Sequence, residues 1–452
     1  MKNLLSQVLD GKFEKIGFFG LGKSNLSLIS ILAPLGAEIT LRSESDIDES
    51  LLPPEIKYSR ILSGKNAFSD ISEDILFLSP SVRRERKEFT EAALRGVLLS
   101  SDAELFFLGV GKREVFAVSG SDGKSTTSTL LAKLLEGDNK VGLIGNVGVP
   151  MLESLSSECD IFVAELSSFM LRYINPRVRR AAITNITPNH LNWHASFEEY
   201  RDTKLSLLKN AEEAVLSVDD KILREYCLCN DVFAITSAKE SYAKLKNAFK
   251  SKLYITFEAD YICKNGEPLI SINDIRRKEE YNLKNLMCAV ALADGYYSLN
   301  HLLKVAREFS GLPHRAQTVL EHNGVEYIDS SIDTSPDRAN RTILSLKKQV
   351  ILILGGRGKG ADYKALSSAV SLYAKRVIIY GEDREKIYSA LSQYAACEVC
   401  EAFEPAVTRA CELAEPTDTV LLSPAATSYD AFRSFEERAE KFKEIIKNYY
   451  KL

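Results

Sequence analysis

Glu114-Val115-Phe116-Ala117-Val118, followed after one serine by Gly120-Ser121-Asp122-Gly123-Lys124-Ser125-Thr126, is the stretch that decides the fold. A short apolar strand runs into a glycine-bearing turn. A helix follows with Leu130, Leu131, Leu134 and Leu135 on one face. Glycines let successive backbone N–H groups turn toward one anion, and the helix N-terminus adds its partial positive charge. Lys124 is placed to reach β/γ phosphates and the Ser125 hydroxyl to ligate Mg²⁺. The competing reading is a surface turn that happens to carry Lys-Ser. The order strand, loop, helix argues against it.

Similar units lie on both sides. Upstream, Ile16-Gly17-Phe18-Phe19 reads as a strand, Gly20-Leu21-Gly22 as a tight turn and Leu26 to Leu32 as a helix; Ala37 to Leu41 and Ile75 to Leu78 supply further strands. Gly109-Val110-Gly111-Lys112-Arg113 interrupts the apolar pattern and marks a boundary. Downstream of the phosphate loop, strands are expected at 161–164, 181–184, 214–217 and 232–235, with hairpin-like runs at 253–272. After the break at Gly311-Leu312-Pro313 come strands at 325–328, 350–354, 377–380 and 419–422, with helices between. A length of 452 residues at roughly 150 per domain predicts about three domains. The expectation is an α/β chain with a Rossmann-like N-terminal domain (1–110), a P-loop ATPase-like central domain (111–312) and a Rossmann-like C-terminal domain (313–452).

Composition excludes several classes. Lys and Arg total 58 against 62 Asp and Glu, so there is no basic excess for nucleic acid. No apolar run approaches the 18 or so residues of a membrane span, and Met1-Lys2-Asn3 does not read as the start of a secretory leader. The cysteine spacings, Cys227 with Cys229 and Cys397 with Cys400, lack the second short-spaced pair that zinc needs. Reduced thiols in a cytoplasmic protein are the expectation.

The first turn, Gly20-Leu21-Gly22-Lys23-Ser24-Asn25, is similar to a dinucleotide fingerprint with Asn25 in place of the third glycine. The acid that would hold a ribose is absent, because the second strand ends in Arg42-Ser43. A diphosphate held by the helix starting near Lys23, or a plain structural βα turn, fits better than a nicotinamide site. Glu165 follows a buried strand next to the phosphate-loop strand, where a nucleotide-bound Mg²⁺ finds a ligand. Asn185-Ile186-Thr187-Pro188-Asn189-His190-Leu191-Asn192-Trp193-His194 puts two of the five histidines and the sole tryptophan into one strand-end loop. His190 is the metal candidate of the pair and His194 the structural histidine.

Together these segments resemble the Mur ligase family, the ATP-dependent amide-bond-forming enzymes of peptidoglycan synthesis. Residues 120–127 match the family's GxxGKxT loop, and Glu165-Leu166-Ser167-Ser168-Phe169 is similar to its ELSSFQ. Residues 185–194 resemble its N-x-T-x-D-H-L-D-x-H. Asn282 and Asn285 resemble its HNxxN, while Leu312-Pro313-His314-Arg315 and Leu422-Ser423-Pro424-Ala425-Ala426-Thr427-Ser428 continue the match. Within the family the resemblance is to the branch that adds D-glutamate to UDP-N-acetylmuramoyl-L-alanine, carried by residues 20–24, 355–360 and 423–428 leading into Phe435-Glu436-Glu437-Arg438.

The resemblance implies roles. Gly120, Ser121, Asp122, Gly123, Lys124, Ser125 and Thr126 would cradle ATP, with Asn282, Asn285 and Arg315 also touching it. Two Mg²⁺ ions are implied: Ser125 and Glu165 would hold one, His190 the second, with Lys204 carbamylated to help place it. Lys124, His190 and Lys204 would be the catalytic residues. Lys23, Ser24 and Asn146 would bind the UDP-muramoyl substrate, and Thr334, Lys359, Ser428 and Phe435 would cradle D-glutamate. A monomeric enzyme of cell-wall biogenesis, cell shape and cell division, without nucleic-acid or membrane partners, is the expectation.

Several positions depart from the family pattern. Asn189 and Asn192 stand where Asp is usual, Met170 replaces Gln, Glu280-Tyr281 replaces Gly-His, and Ser330 and Ile332 replace an acid and a lysine. Loss of acids beside metal ligands is expected to weaken metal binding or turnover. The alternatives are another Mur or folylpolyglutamate-type amide ligase, a non-catalytic nucleotide-binding homologue, and a dehydrogenase built on Gly20-x-Gly22.

Overall fold

Ile161–Glu165 and Val350–Gly355 carry no polar alternation and are buried along their whole length. That is the pattern of parallel strands covered by helices on both faces. The computed structural model describes residues 2–452 apart from 48, 50, 51, 53–55, 238–246, 248–252, 359 and 360. The chain divides into two compact units, Met1–Phe309 and Ser310–Leu452.

The first unit holds two sheets. One is five-stranded and parallel, in the order Arg60–Ser63, Glu38–Ser43, Lys15–Phe19, Ile75–Leu78, Leu98–Ser100. Strand order reverses between Lys15–Phe19 and Ile75–Leu78, the position where doubly wound sheets bind ligands. The residue 20–22 turn leaves the central strand there and the helix Lys23–Leu32 begins at once. The helix Asp102–Gly109 then leads into the strand Glu114–Ser119 of the second sheet.

That second sheet is nine-stranded, in the order Glu267–Ser271, Tyr261–Lys264, Leu253–Glu258, Phe233–Thr236, Ala211–Ser217, Val178–Ile183, Glu114–Ser119, Ile161–Glu165, Val141–Gly145. All pairings are parallel except the two that attach Tyr261–Lys264 and Glu267–Ser271, the antiparallel addition expected from the hairpin-like runs. Glu165 is the last residue of its strand rather than the residue after it.

The second unit carries a six-stranded sheet, in the order Gln317–His322, Val325–Asp329, Thr419–Leu422, Val350–Gly355, Ala374–Tyr380, Cys397–Val399. Only Gln317–His322 is antiparallel to its neighbour. Apolar clusters fill both faces of this sheet, one around Leu352 and Val377, the other around Ile353 and Phe442. The eight cysteines are free thiols. Among the described residues no helix is long and apolar enough to cross a membrane.

Candidate active site

The loop after Glu114–Ser119 has a shape that only glycine permits at two points. Gly120 and Gly123 have φ of +142° and +80°. A Cβ on Gly120 would lie 1.9 Å from Thr184 Oγ1, and one on Gly123 2.4 Å from Asn285 Oδ1. The neighbouring strand-end loop pins the turn. Ser121 N donates to Asn185 O and Asp122 N to Asn185 Oδ1, both at 2.9 Å. Ser121 Oγ donates to Thr187 O at 3.0 Å and lies 2.8 Å from the Tyr200 hydroxyl. Gly123 caps the helix Lys124–Leu135, whose N-terminus has no side-chain cap among the described residues. Ser125 and Thr126 are buried on its first turn. Lys124 Nζ folds back on Gly120 O (3.0 Å) and Ser121 O (2.9 Å), within reach of whatever the loop holds.

The helix Phe197–Leu205 delivers the other lysine. Ser196 caps it by accepting from Glu199 N. Lys204 is 2% exposed and donates to Gly120 O at 2.7 Å. Burial first, then the Lys124 charge, hold its amine well below the usual lysine range, while Glu165 and Asp122 pull the other way. Tyr200, one turn earlier, places its ring 4.8 Å from Lys204 Nζ.

Glu165 closes its strand in register with Val118 and Gly145 and is fully buried. Its Oε1 accepts from Asn146 Nδ2 at 2.8 Å, whereas Oε2 has no hydrogen-bond partner among the described residues. His190 is exposed with φ +55°, its N–H donating to Asn189 Oδ1 and its ring edge-on to Phe169 at 4.9 Å. His194 is 2% exposed, bonded to Ser168 Oγ, and burial pushes its pKa down to about 4. It is a core histidine. Among the described residues no three His, Cys, Asp or Glu side chains gather into a cage. A phosphate-bound Mg²⁺ takes only one or two protein carboxylates plus phosphate and water oxygens, and Glu165 Oε2 is a buried oxygen in want of such a partner. The residues fit the ion.

Beside Gly123 a cavity of ≈ 370 Å³ opens along the strand ends, lined by Asp122, Thr184, Asn185, Asp219, Lys284 and Asn285 among others. Asn285 Oδ1 lies 3.3 Å from Thr127 Oγ1, and Asn282 Nδ2 donates to Glu279 Oε2. Asp219 is held below the usual carboxylate range: burial opposes this, but hydrogen bonds from Thr236 and Ser237 and the Lys284 charge outweigh it.

At the first sheet Lys23 Nζ donates to Gly148 O, and Ser24 follows half-buried. Asn25 explains the missing third glycine. Its amide donates to the carbonyls of Phe19, Gly20 and Phe77 and clasps the turn shut. Arg42, where a ribose acid was sought, is buried against Glu73 at 2.7 Å and is spent inside the sheet.

Arg315, Thr334, Ser428 and Phe435 belong to the second unit. Arg315 is exposed on the turn after Leu312. Thr334 and Ser428 follow the strands Val325–Asp329 and Thr419–Leu422, and Phe435 opens the helix Phe435–Tyr450 with its ring 5.9 Å from that of His314. Lys359 lies outside the described residues. Ser330, in place of an acid, accepts from Ala316 N at 3.1 Å. Sequence reasoning placed Asn185 in the strand-end motif without a role and did not single out Thr184, Tyr200, Asp219 or Lys284. Tyr200 had one available signal, its position one helical turn before Lys204.

Residues 118–293 match the Mur ligase middle domain, and residues 314–426 the Mur ligase glutamate ligase domain. The UDP-N-acetylmuramoylalanine--D-glutamate ligase of Ruminiclostridium cellulolyticum is 33% identical, covering 99% of this chain and 100% of that protein. The chain belongs to the Mur ligase family. The corresponding Clostridium tetani ligase is 31% identical over 96% of this chain and 97% of its own. Among solved structures, UDP-N-acetylmuramate-alanine ligase MurC of Thermotoga maritima superposes with TM-score 0.61 at 18% identity, covering 96% of this chain and 99% of that one. MurF ligase of the same organism, in complex with ADP, gives 0.53 at 17% identity and covers 99% and 100%. Both share the fold. As a Mur ligase, the chain is an ATP-dependent amide-bond-forming enzyme.

Proposed function

We propose that this Mur ligase joins D-glutamate to UDP-N-acetylmuramoyl-L-alanine, with ATP supplying the energy. The observation that supports the chemistry most is the convergence of Lys124 and Lys204 on the Gly120 carbonyl, with Glu165 close enough to act on Lys204 electrostatically. The substrate assignment is supported by full-length likeness to D-glutamate ligases.

The γ-phosphoryl group passes from ATP to the alanine carboxylate, forming an acyl phosphate and ADP. The neutral D-glutamate amine adds to the acyl carbon; the tetrahedral intermediate collapses by breaking the acyl C–O bond, phosphate departs with that oxygen and the bonding pair, and the new amide nitrogen gives up one proton to solvent. Two polyanions must meet for this. Lys124 and the N-terminus of the helix Lys124–Leu135 screen their repulsion and stabilise charge on the transferring group. Asn285 and the cavity beside Gly123 orient the nucleotide. Glu165 and Ser125 would hold one Mg²⁺, and His190 and Lys204 a second; bound there, the ions supply charge neutralisation at the phosphates. A neutral amine is the form that adds CO₂, so the depressed pKa of Lys204 suits carbamylation. Asn189, placed where an acid is usual, instead holds the His190 backbone and leaves the His190 ring accessible.

We assign residues 1–110 with Lys23 and Ser24 to the UDP end of the substrate, joined by Asn146. Residues 111–312 take ATP and metal. Residues 313–452, with Thr334, Lys359, Ser428 and Phe435, take D-glutamate, and Arg315 contacts ATP. The enzyme is monomeric and cytoplasmic in this reading. Mass spectrometry of the nucleotide product tests it: a gain of one glutamyl residue, dependent on the D-isomer, is expected. An unchanged nucleotide under ATP turnover would remove the assignment.

A further inference from the structure

Arg438 is the one residue of the 435–438 stretch whose position in the second unit calls for a function of its own. It is 0% exposed. Among the described residues no carboxylate pairs with it, and its Nε has no acceptor. A guanidinium removed from water without an ion partner is costly unless its surroundings use it. Its other two nitrogens are used. Nη2 donates to Ser331 O at 2.9 Å; Nη1 donates to Ala426 O at 3.1 Å and lies 3.5 Å from the Tyr380 hydroxyl. A Cβ added to Gly356 would come within 3.3 Å of Nη1, so the third strand-end turn is packed against the same group.

Three loops therefore meet on one planar cation. Ser331 belongs to the turn that carries Thr334, Ala426 to the turn that carries Ser428, and Gly356 to the turn after the strand Val350–Gly355. Arg438 itself sits one helical turn after Phe435. Thr334, Ser428 and Phe435 are among the residues assigned to D-glutamate above, and the inference rests on that assignment.

We propose that Arg438 is a positioning residue that fixes the spacing of the amino-acid pocket, by holding the Ser331 and Ala426 carbonyls on one rigid guanidinium. A fork with two fixed donor directions sets the separation of two carbonyls. An ammonium on a flexible stem carries the charge and not the geometry.

The test compares R438K and R438M with the wild-type chain. Initial rates are measured against D-glutamate, ATP and UDP-N-acetylmuramoyl-L-alanine in turn, with circular dichroism as the check on folding. A misplacement of about 1 Å in a positioned reactant lowers rate on the order of 100-fold. Both variants are expected to lose roughly that factor in kcat/KM for D-glutamate, with KM for ATP and for the nucleotide substrate unchanged. R438K retains a charged donor, so it decides the matter if R438M does not fold. Wild-type kcat/KM for D-glutamate in R438K would overturn the proposal, as would parallel losses for all three substrates, which mark general damage. A wild-type enzyme indifferent to D-glutamate overturns the substrate assignment instead, and the same variants are then scored against the amino acid it does use.

Discussion

Exchanging Glu165 for Gln should make the ligand-free protein more stable while disabling the enzyme. Glu165 is fully buried, with one oxygen bonded to Asn146 and the other without a partner among the described residues. A carboxylate oxygen left buried without a partner costs more than the same defect in a neutral amide. A buried neutral amide missing one hydrogen bond costs about 1–3 kcal/mol. The difference favours the variant by roughly 1–3 kcal/mol, or a few degrees in the melting midpoint of the first unit. Gln keeps an acceptor for Asn146 Nδ2, so the strand-end contact survives. Turnover moves the other way. A metal ligand is worth at least what an outer partner is worth, so kcat/KM should fall by about 100-fold or more. The upward thermal shift that Mg²⁺ adds to ATP should vanish. The assay is thermal denaturation of both proteins without ligand, with ATP, and with ATP plus Mg²⁺. A variant that melts below wild type and still responds to Mg²⁺ refutes the reasoning on both counts.

Three further substitutions probe the phosphate loop, its Tyr200 support and a buried carboxylate elsewhere in the first unit. Gly123→Ala puts a methyl 2.4 Å from Asn285 Oδ1 in a left-handed conformation that alone costs about 1–2 kcal/mol. ATP affinity measured by calorimetry should drop more than about tenfold, and unchanged affinity would mean the loop does not hold the nucleotide. Tyr200→Phe deletes the 2.8 Å contact to Ser121 Oγ, worth about 1 kcal/mol. ATP should bind about fivefold more weakly; equal binding would show that the Ser121 anchor is irrelevant to the site. Asp102 accepts from Met151 N and Leu152 N, and burial raises its pKa to about 6. Between about pH 4 and 6 the folded chain therefore binds the proton that the unfolded chain has released, so this group's contribution to stability falls as pH rises. Asp102→Asn removes that slope, and the variant should gain about 3 kcal/mol relative to wild type across the window. Denaturant curves at pH 4, 5, 6 and 7 that stay parallel for the two proteins would contradict it.

The centre of each sheet was legible in the sequence, and of the edges only the antiparallel addition at 253–272 was. Ile75–Leu78, Ile161–Glu165, Val350–Gly355 and Thr419–Leu422 are buried throughout, and each holds at least three consecutive apolar residues with no polar alternation, a run the sequence shows. The unexpected strands Arg60–Ser63, Leu98–Ser100, Val141–Gly145, Gln317–His322 and Cys397–Val399 all lie at a sheet edge. One side of such a strand meets water, its residues are mixed, and the pairing comes from a neighbour far away in sequence. The site divides in the same way. The phosphate loop has a local signature because its glycines, lysine and serine act on one anion. Glu165 and His190 could be suggested from their places at strand ends. Lys204 reads as an ordinary helix lysine until the fold buries it beside Gly120. Asp219 and Lys284 meet only in three dimensions, and nothing in their local sequence marks them.

The central claim is that ATP turnover here is coupled to an amino-acid acceptor, and that the acceptor is D-glutamate. Phosphate release by the purified protein, supplied with ATP, Mg²⁺ and UDP-N-acetylmuramoyl-L-alanine and given each amino acid in turn, measures it directly. The account predicts rapid release with D-glutamate and background release with L-glutamate and every other amino acid. Release that is equal with and without D-glutamate, or fastest with a different amino acid, would contradict it.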